Sequence, residues 1–363
     1  MRISASGWRY DRGAMEVLRR LEVDARQRLS QAQFDFFAGG AGDEQTLSDN
    51  ALAWRKLWLR PRAMVDVGRV DTTCVVLDDR LALPVLLAPM STQRLLHPDG
   101  EVACARAAGA AGSVYCLATR ATADLAEVAA AASGPLWFQL YLERGRTVAE
   151  RVLARAAEHG FTAVVLTVDR PVGGRREREL RHGDLPLPMG IALASHLGGE
   201  SAPEAKALGE WELSLAWADV AWAHQASTLP VIVKGILTAA DAIAAMQAGA
   251  EAIIVSNHGG RQLDGCLPSA VALREVATAV AGRLPVLVDG GIRNGGDVVR
   301  ALALGATAVL IGRPYGWGLA AAGETGVRQV LEAFNADVRR ALALCGCPTL
   351  ADVTADHIQF ARW

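Results

Sequence analysis

Eight short apolar runs, each leading towards an alanine-rich stretch of helical character, recur along the chain from about residue 84 onward. They span residues 85–90, 113–118, 136–141, 163–169, 231–235, 252–257, 286–291 and 308–312. These runs are close to continuously apolar, so both faces of each strand must be covered, which is the signature of a parallel sheet. Helical stretches follow at 98–111, 147–159, 238–248 and 295–304, and Gly160, Gly249 and Gly305 stop helices before the next strand. Eight such units point to an α/β fold of the (β/α)8 TIM barrel kind rather than an open sheet. With 363 residues, 51% of them hydrophobic, the chain suffices for one barrel with additions.

Two segments depart from the alternation. Residues 1–83 read as an N-terminal helical extension, with amphipathic stretches near 14–37 and 46–56. Residues 171–212, after the fourth strand, hold clustered charges, then Leu185-Pro186-Leu187-Pro188, then a Gly/Ala/Ser-rich section. A loop of that length is usually functional, so it reads as a lid over the barrel mouth. The expected organisation is one domain over 1–363, with the barrel at 84–345.

Composition narrows the partners. A formal net charge of −2 argues against nucleic acid, because phosphate-backbone binding needs a concentrated basic face. No run approaches the roughly 18 apolar residues of a membrane span, and the N-terminus lacks a signal-peptide core. The six cysteines are scattered, and the close pair Cys345 and Cys347 lacks the partners of a metal site. Reduced thiols in a cytoplasmic protein are the expectation, with no metal and no membrane partner.

Polar residues collect where the strands end, and in a TIM barrel the C-terminal strand ends carry the chemistry. Gln139 and Tyr141 end the third strand, Thr167 and Asp169 the fourth, and Lys234 the fifth. The sixth runs into Ser256-Asn257-His258-Gly259-Gly260-Arg261-Gln262-Leu263-Asp264-Gly265. That segment puts a base of ordinary pKa about 6.5 three positions from a guanidinium suited to gripping a carboxylate. The last two strands end in Asp289-Gly290-Gly291-Ile292-Arg293 and Gly312-Arg313. Glycine amides, two guanidinium groups and helix starts are the parts of a phosphate cradle.

Taken together, these motifs resemble the FMN-dependent 2-hydroxy acid oxidase and dehydrogenase family. The resemblance runs over nearly the whole chain, from Phe34-Asp35-Phe36-Phe37-Ala38-Gly39-Gly40 through Gln93–Glu101, Val233-Lys234-Gly235 and the His258 segment to Cys347. It implies FMN as cofactor, a 2-hydroxy acid as substrate and O2 as the electron acceptor, in a homo-oligomer, commonly a tetramer. Residue by residue, it implies His258 as base, Asp169 as its orienting carboxylate and Arg261 as the principal carboxylate clamp, with Arg176 auxiliary. Tyr141 falls beside the substrate, and Lys234 at the flavin edge where negative charge develops. Ser91, Gln139, Thr167, Ser256, Asp289, Gly291, Arg293, Gly312 and Arg313 are implied as cofactor-binding.

Three positions leave the family's pattern. Phe36 stands where many relatives have Tyr; the family's hydroxymandelate oxidases resemble this chain in having Phe there, which points to an aryl-substituted L-2-hydroxy acid, the alternative being that it only packs against the lid. Arg120 stands where glycolate oxidase-like members have Trp. It supplies the cation that the missing phenol at Phe36 would have assisted, recognises a further acidic or polar group on the substrate, or faces solvent at the loop mouth. Ser91 replaces a small Gly or Ala near the flavin, which leaves a quinone- or protein-coupled dehydrogenase as the alternative to an oxidase. An unusual hydroxy or amino substrate of a biosynthetic route is the remaining alternative.

Overall fold

The structure, a computed structural model, describes residues 13–142, 146–183 and 215–361. Helices α1 (Ala14–Arg28), α2 (Gln31–Ala38) and α3 (Gln45–Arg55) open the chain, followed by β1 (Leu57–Leu59) and a hairpin of β2 (Cys74–Val76) and β3 (Asp79–Leu81). The extension is therefore helical only in its first part. Its second part is short strand, because Val75 and Val76 are β-branched and Val76 meets apolar cover in the barrel. Val76 and Leu81 join the cluster of Leu86, Trp137 and Ile254 inside the barrel. Asp79 accepts from Trp137 Nε1 at 2.8 Å and from Thr162 Oγ1 at 2.9 Å, so the hairpin plugs the N-terminal end.

The barrel strands are β4 (Val85–Leu87), β5 (Tyr115–Ala118), β6 (Leu136–Leu140), β7 (Ala163–Thr167), β8 (Val231–Ile236), β9 (Ala252–Val255), β10 (Val286–Val288) and β11 (Ala308–Ile311). They pair in chain order, all parallel, and β11 closes onto β4. All eight expected strands are present. Most are shorter at their C-terminal ends, where the expected runs continue into loops. Around them lie α4 (Gly100–Ala110), α5 (Leu125–Ala131), α6 (Arg146–Glu158), α7 (Glu177–Leu180), α8 (Ala218–Ser227), α9 (Ala239–Gln247), α10 (Ser269–Val280), α11 (Gly295–Ala303) and the long α12 (Arg313–Cys345). A final strand, β12 (Ile358–Phe360), pairs antiparallel with β1. The expected lid begins with α7; its Pro-rich run and the rest of 184–212 lie outside the described residues.

Strand parity places the site. One set of alternate residues faces the helices, in a layer that includes Val85, Phe138, Val164 and Val233. The other set, including Leu86, Trp137, Val165, Ile232, Ile254, Leu287 and Leu310, fills the barrel. Two positions further along that inner set stand Ala88, Gln139, Thr167, Lys234, Ser256, Asp289 and Gly312. The inner layer thus turns from apolar to polar at the C-terminal mouth. The hairpin closes the other end, so a ligand must enter from this side.

Candidate active site

A cavity of about 350 Å³ opens at that mouth, lined by Ala88, Gln139, Thr167, Lys234 and Asp289 of the polar layer and by the loops above them. Its most constrained wall is the loop after β9. Asn257 and Asn50 of α3 exchange side-chain amide hydrogen bonds, both 2.8 Å and both buried. Asp264 accepts from the backbone N–H groups of Asp43, Gln45 and Thr46, capping α3 from more than 200 residues away. Thr46, Asn50 and Trp54 form the buried face of α3, and Trp54 Nε1 donates to Gly290 O at 2.8 Å. The extension therefore grips the loops after β9 and β10. Asn50→Leu leaves the Asn257 amide buried without its partner and is expected to cost about 1–3 kcal/mol of stability. Chemical denaturation checks this, and an unchanged unfolding midpoint contradicts the grip.

His258 sits in this loop with φ 58, a left-handed conformation that histidine adopts more readily than most residues. Its N–H donates to Ser256 Oγ at 3.0 Å, which holds the turn. The ring lies between Asp169 and Tyr141, with Nδ1 2.9 Å from Asp169 Oδ1 and Nε2 3.0 Å from Tyr141 Oη. A carboxylate accepts only, so Nδ1 carries the proton and Nε2 keeps its lone pair towards the cavity. Burial, together with the Lys234 and Arg170 charges, pulls the His258 pKa below its ordinary value, against the opposing pull of Asp169. Burial alone raises the Asp169 pKa, but the facing His258 and Lys234 charges bring it below the usual carboxylate value. At neutral pH the pair is a neutral imidazole backed by a carboxylate.

Lys234 lies beneath this pair. Burial works against its charge, yet Asp289 and Asp169 outweigh burial and raise its pKa above the ordinary lysine range. Its Nζ is 3.3 Å from Asp289 Oδ2 and donates to Ser256 Oγ at 2.9 Å. A register shift between Lys234 and Ile236 marks an irregularity in β8. Gly235 occupies it with φ 113, and a Cβ there would stand 2.6 Å from Asp169 Cβ. Glycine at 235 is what lets lysine and aspartate sit on adjacent strands at this depth.

Three residues after His258, Arg261 donates to Phe36 O and Gly39 O, each at 2.8 Å, and to Glu179 Oε1 at 2.9 Å. Arg176 Nε lies 2.6 Å from the same carboxylate oxygen. Burial lowers the Arg261 pKa to about 10, with Glu179 opposing; the group is still charged at neutral pH. The guanidinium carbon stands 5.6 Å from the centroid of the Phe36 ring. One carboxylate thus serves two cavity-lining guanidinium groups, leaving room in charge for a second anion.

Next to Arg261, which shares the Gly39 carbonyl with Arg313, the cavity is cationic and glycine-rich. Burial lowers the pKa of both Arg293 and Arg313, and for Arg313 the neighbouring Arg261 and Arg293 charges add to it. Arg293 donates to Ile292 O at 2.9 Å, and Arg313 to the carbonyls of Phe37, Ala38, Gly39 and Gly259. Among the described residues neither has a carboxylate within salt-bridge distance. Gly291, at φ 80, packs so closely that a Cβ would come within 2.3 Å of Asn50 O. Two half-buried cations, close enough for the Arg293 charge to lower the Arg313 pKa, call for an anion beside them. Asp289 Oδ1, buried without a hydrogen-bond partner among the described residues, demands a donor such as a polyol hydroxyl. A phosphate on a sugar-alcohol chain meets both demands, so the residues fit FMN.

Of the other expected residues, Ser91, Arg120, Gln139, Thr167, Gly291 and Gly312 line the cavity. Gln139 bridges Thr119 N and Thr167 Oγ1, each at 3.1 Å. Ser256 stands in the same inner layer, beside Lys234. It is fully buried and its hydroxyl accepts from both Lys234 and His258, so it couples those two residues and keeps its own O–H to donate. Arg170, Glu179, Asn50 and Asp264 were not expected. Arg170 could have been found by its place directly after Asp169 at a strand end; the others act through contacts distant in sequence.

Comparison with known proteins matches residues 25–360 to the family described as FMN-dependent dehydrogenase. Glycolate oxidase 1 of Oryza sativa subsp. indica is 44% identical over 343 residues, 92% of this chain and 93% of that protein. L-lactate oxidase of Nostoc sp. is 44% identical over 348 residues, covering 92% and 95%. Among solved structures, mandelate oxidase with (S)-4-hydroxymandelic acid superposes with a TM-score of 0.88 at 43% identity, over 94% of this chain and 98% of that one.

Proposed function

The chain belongs to the FMN-dependent dehydrogenase family, and from that premise we propose that it oxidises an L-2-hydroxy acid to the 2-oxo acid, with O2 reduced to hydrogen peroxide. The observation that carries this reading is the neutral His258 backed by Asp169, facing a cavity that the Arg261 guanidinium also lines. When bound, FMN supplies the two-electron acceptor for the α-hydrogen. Arg293, Arg313 and the Gly291 and Gly312 loops would hold its phosphate, Asp289 a chain hydroxyl, and Gln139, Thr167 and Lys234 the polar edge of its ring; Ser91 lines the same wall.

Each protein group then has a defined task. Arg261 binds the substrate carboxylate, with Arg176 beside it, which turns the hydroxyl-bearing carbon towards His258. Tyr141 bonds the substrate hydroxyl at the Nε2 side. His258 Nε2 takes the hydroxyl proton, and Asp169 stabilises the imidazolium that forms. The buried Lys234 ammonium keeps positive charge under the reacting centre. Phe36 contributes an apolar wall, which suits an aryl or otherwise apolar substrate body.

We also propose a cytoplasmic homo-oligomer, most simply a tetramer. Six free cysteines support the first, and exposed apolar side chains such as Trp58, Leu263 and Val271 support the second. Among the described residues, no helix is long and apolar enough to cross a membrane.

The test is an aerobic assay followed across pH. One hydrogen peroxide and one 2-oxo acid are expected per O2 consumed. Because the active form of His258 is unprotonated and its pKa is lowered, kcat/KM should hold through neutral pH. It should fall only as pH drops through a midpoint below the ordinary value of about 6.5. An acid limb centred above 7 removes His258 from the base role, and 2-oxo acid formed without peroxide removes O2 as the acceptor.

A further inference from the structure

We propose that Glu179 keeps carboxylate binding reversible at this site: it cancels one of the two clamp charges, so that the 2-oxo acid product can leave. The inference rests on the oxidase reading above and deepens it.

Arg261 and Arg176 both line the cavity, and both lean on this one carboxylate. Arg261 donates to Glu179 Oε1 at 2.9 Å, and Arg176 Nε lies 2.6 Å from the same oxygen. The three side chains are only 18–19% exposed, so their charges act on a ligand with little screening. A guanidinium has five N–H donors. Arg261 spends three of them on Phe36 O, Gly39 O and Glu179, which leaves two for the two oxygens of a carboxylate. With Glu179 in place the three groups sum to a single positive charge, which one substrate carboxylate neutralises. Without it, the same carboxylate would be held by two unopposed cations.

Glu179 is mounted for this task. It stands on α7, which α2 and the turn after it hold down. Arg178 pairs with Glu44 and lies 3.9 Å from Asp35, His182 Nε2 is 2.8 Å from Asp35 Oδ2, and Gly42 N donates to Arg175 O at 2.9 Å. Among the described residues the ion-pair partners of Glu179 are the two clamp arginines. Oxidation changes the carbinol carbon and leaves the carboxylate as it was, so the clamp grips substrate and product alike. Binding energy spent equally on both lowers KM and slows release without helping the chemistry. A fixed negative charge beside the clamp repels both ligands and trims that energy.

Titration of the oxidised, FMN-loaded protein with phenylglyoxylate and with pyruvate, followed by flavin absorbance, tests this. Phenylglyoxylamide is the uncharged control. Glu179→Gln keeps the shape and removes the charge. It is expected to bind both acids about tenfold or more tightly than wild type, and the amide about as wild type does. Its KM for a 2-hydroxy acid should fall with no gain in kcat, whereas mere loosening of the clamp would raise KM. Glu179→Asp draws the charge back by one methylene and should fall between the two, which decides the matter if the glutamine variant does not retain FMN. Acid binding that is unchanged or weaker in these variants overturns the inference and leaves the oxidase reading standing. So does an amide that tightens as much as the acids. Flavin that no 2-hydroxy acid reduces, with the acids still tightened by Glu179→Gln, overturns the oxidase reading and leaves the charge balance standing.

Discussion

His258→Gln is expected to retain FMN and to slow its reduction by a 2-hydroxy acid by about 10²–10⁴-fold, the range for loss of a positioned general base. Glutamine keeps much of the volume and can still hydrogen-bond Asp169, but it has no titratable nitrogen at the Nε2 position. Retention of FMN follows from the separation of tasks, since the phosphate end is built by Arg293, Arg313 and the glycine loops. Rapid-mixing absorbance without oxygen measures the effect. Reduction at the wild-type rate would take the base role from His258, while loss of FMN would mean that the histidine loop also shapes the cofactor space.

Arg261→Lys is expected to lower kcat/KM for every 2-hydroxy acid by about 10²-fold or more. Lysine keeps the charge but loses the planar fork that grips a carboxylate through two parallel bonds. The same guanidinium ties down Phe36 O and Gly39 O, so lysine also loosens the α2 end of the wall. Arg261 makes charge-assisted contacts both to the protein and to the substrate, and each such bond is worth more than a neutral one. Steady-state kinetics over several substrates checks the prediction. A variant within threefold of wild type would transfer the clamp to Arg176.

The barrel was legible because parallel strands buried on both faces leave continuous apolar runs that no helix period imitates. Strand ends were overextended for a physical reason. Residues such as 88–90 and 290–291 remain apolar or small because they line the cavity, although they have left the hydrogen-bond ladder. His258, Asp169, Lys234 and Arg261 could be read from their places at strand ends and from the motif around them. The function of the extension could not. Thr46, Asn50 and Trp54 share one face of α3 at helical spacing, but a polar stripe looks solvent-facing until its partners are known. Those partners, Asp264, Asn257 and Gly290, lie more than 200 residues away. Strand parity aims Ser256 inward, but it does not reveal that its hydroxyl accepts from both Lys234 and His258.

The central claim is that this cavity brings a 2-hydroxy acid, a histidine base and bound FMN together for a two-electron oxidation. Anaerobic mixing of the FMN-loaded protein with a panel of aliphatic, aryl and dicarboxylic L-2-hydroxy acids tests it most directly. Bleaching of the flavin absorbance by at least one L-isomer, with one equivalent of 2-oxo acid formed per flavin, is the predicted result. Flavin that stays fully oxidised with every member of the panel would contradict it.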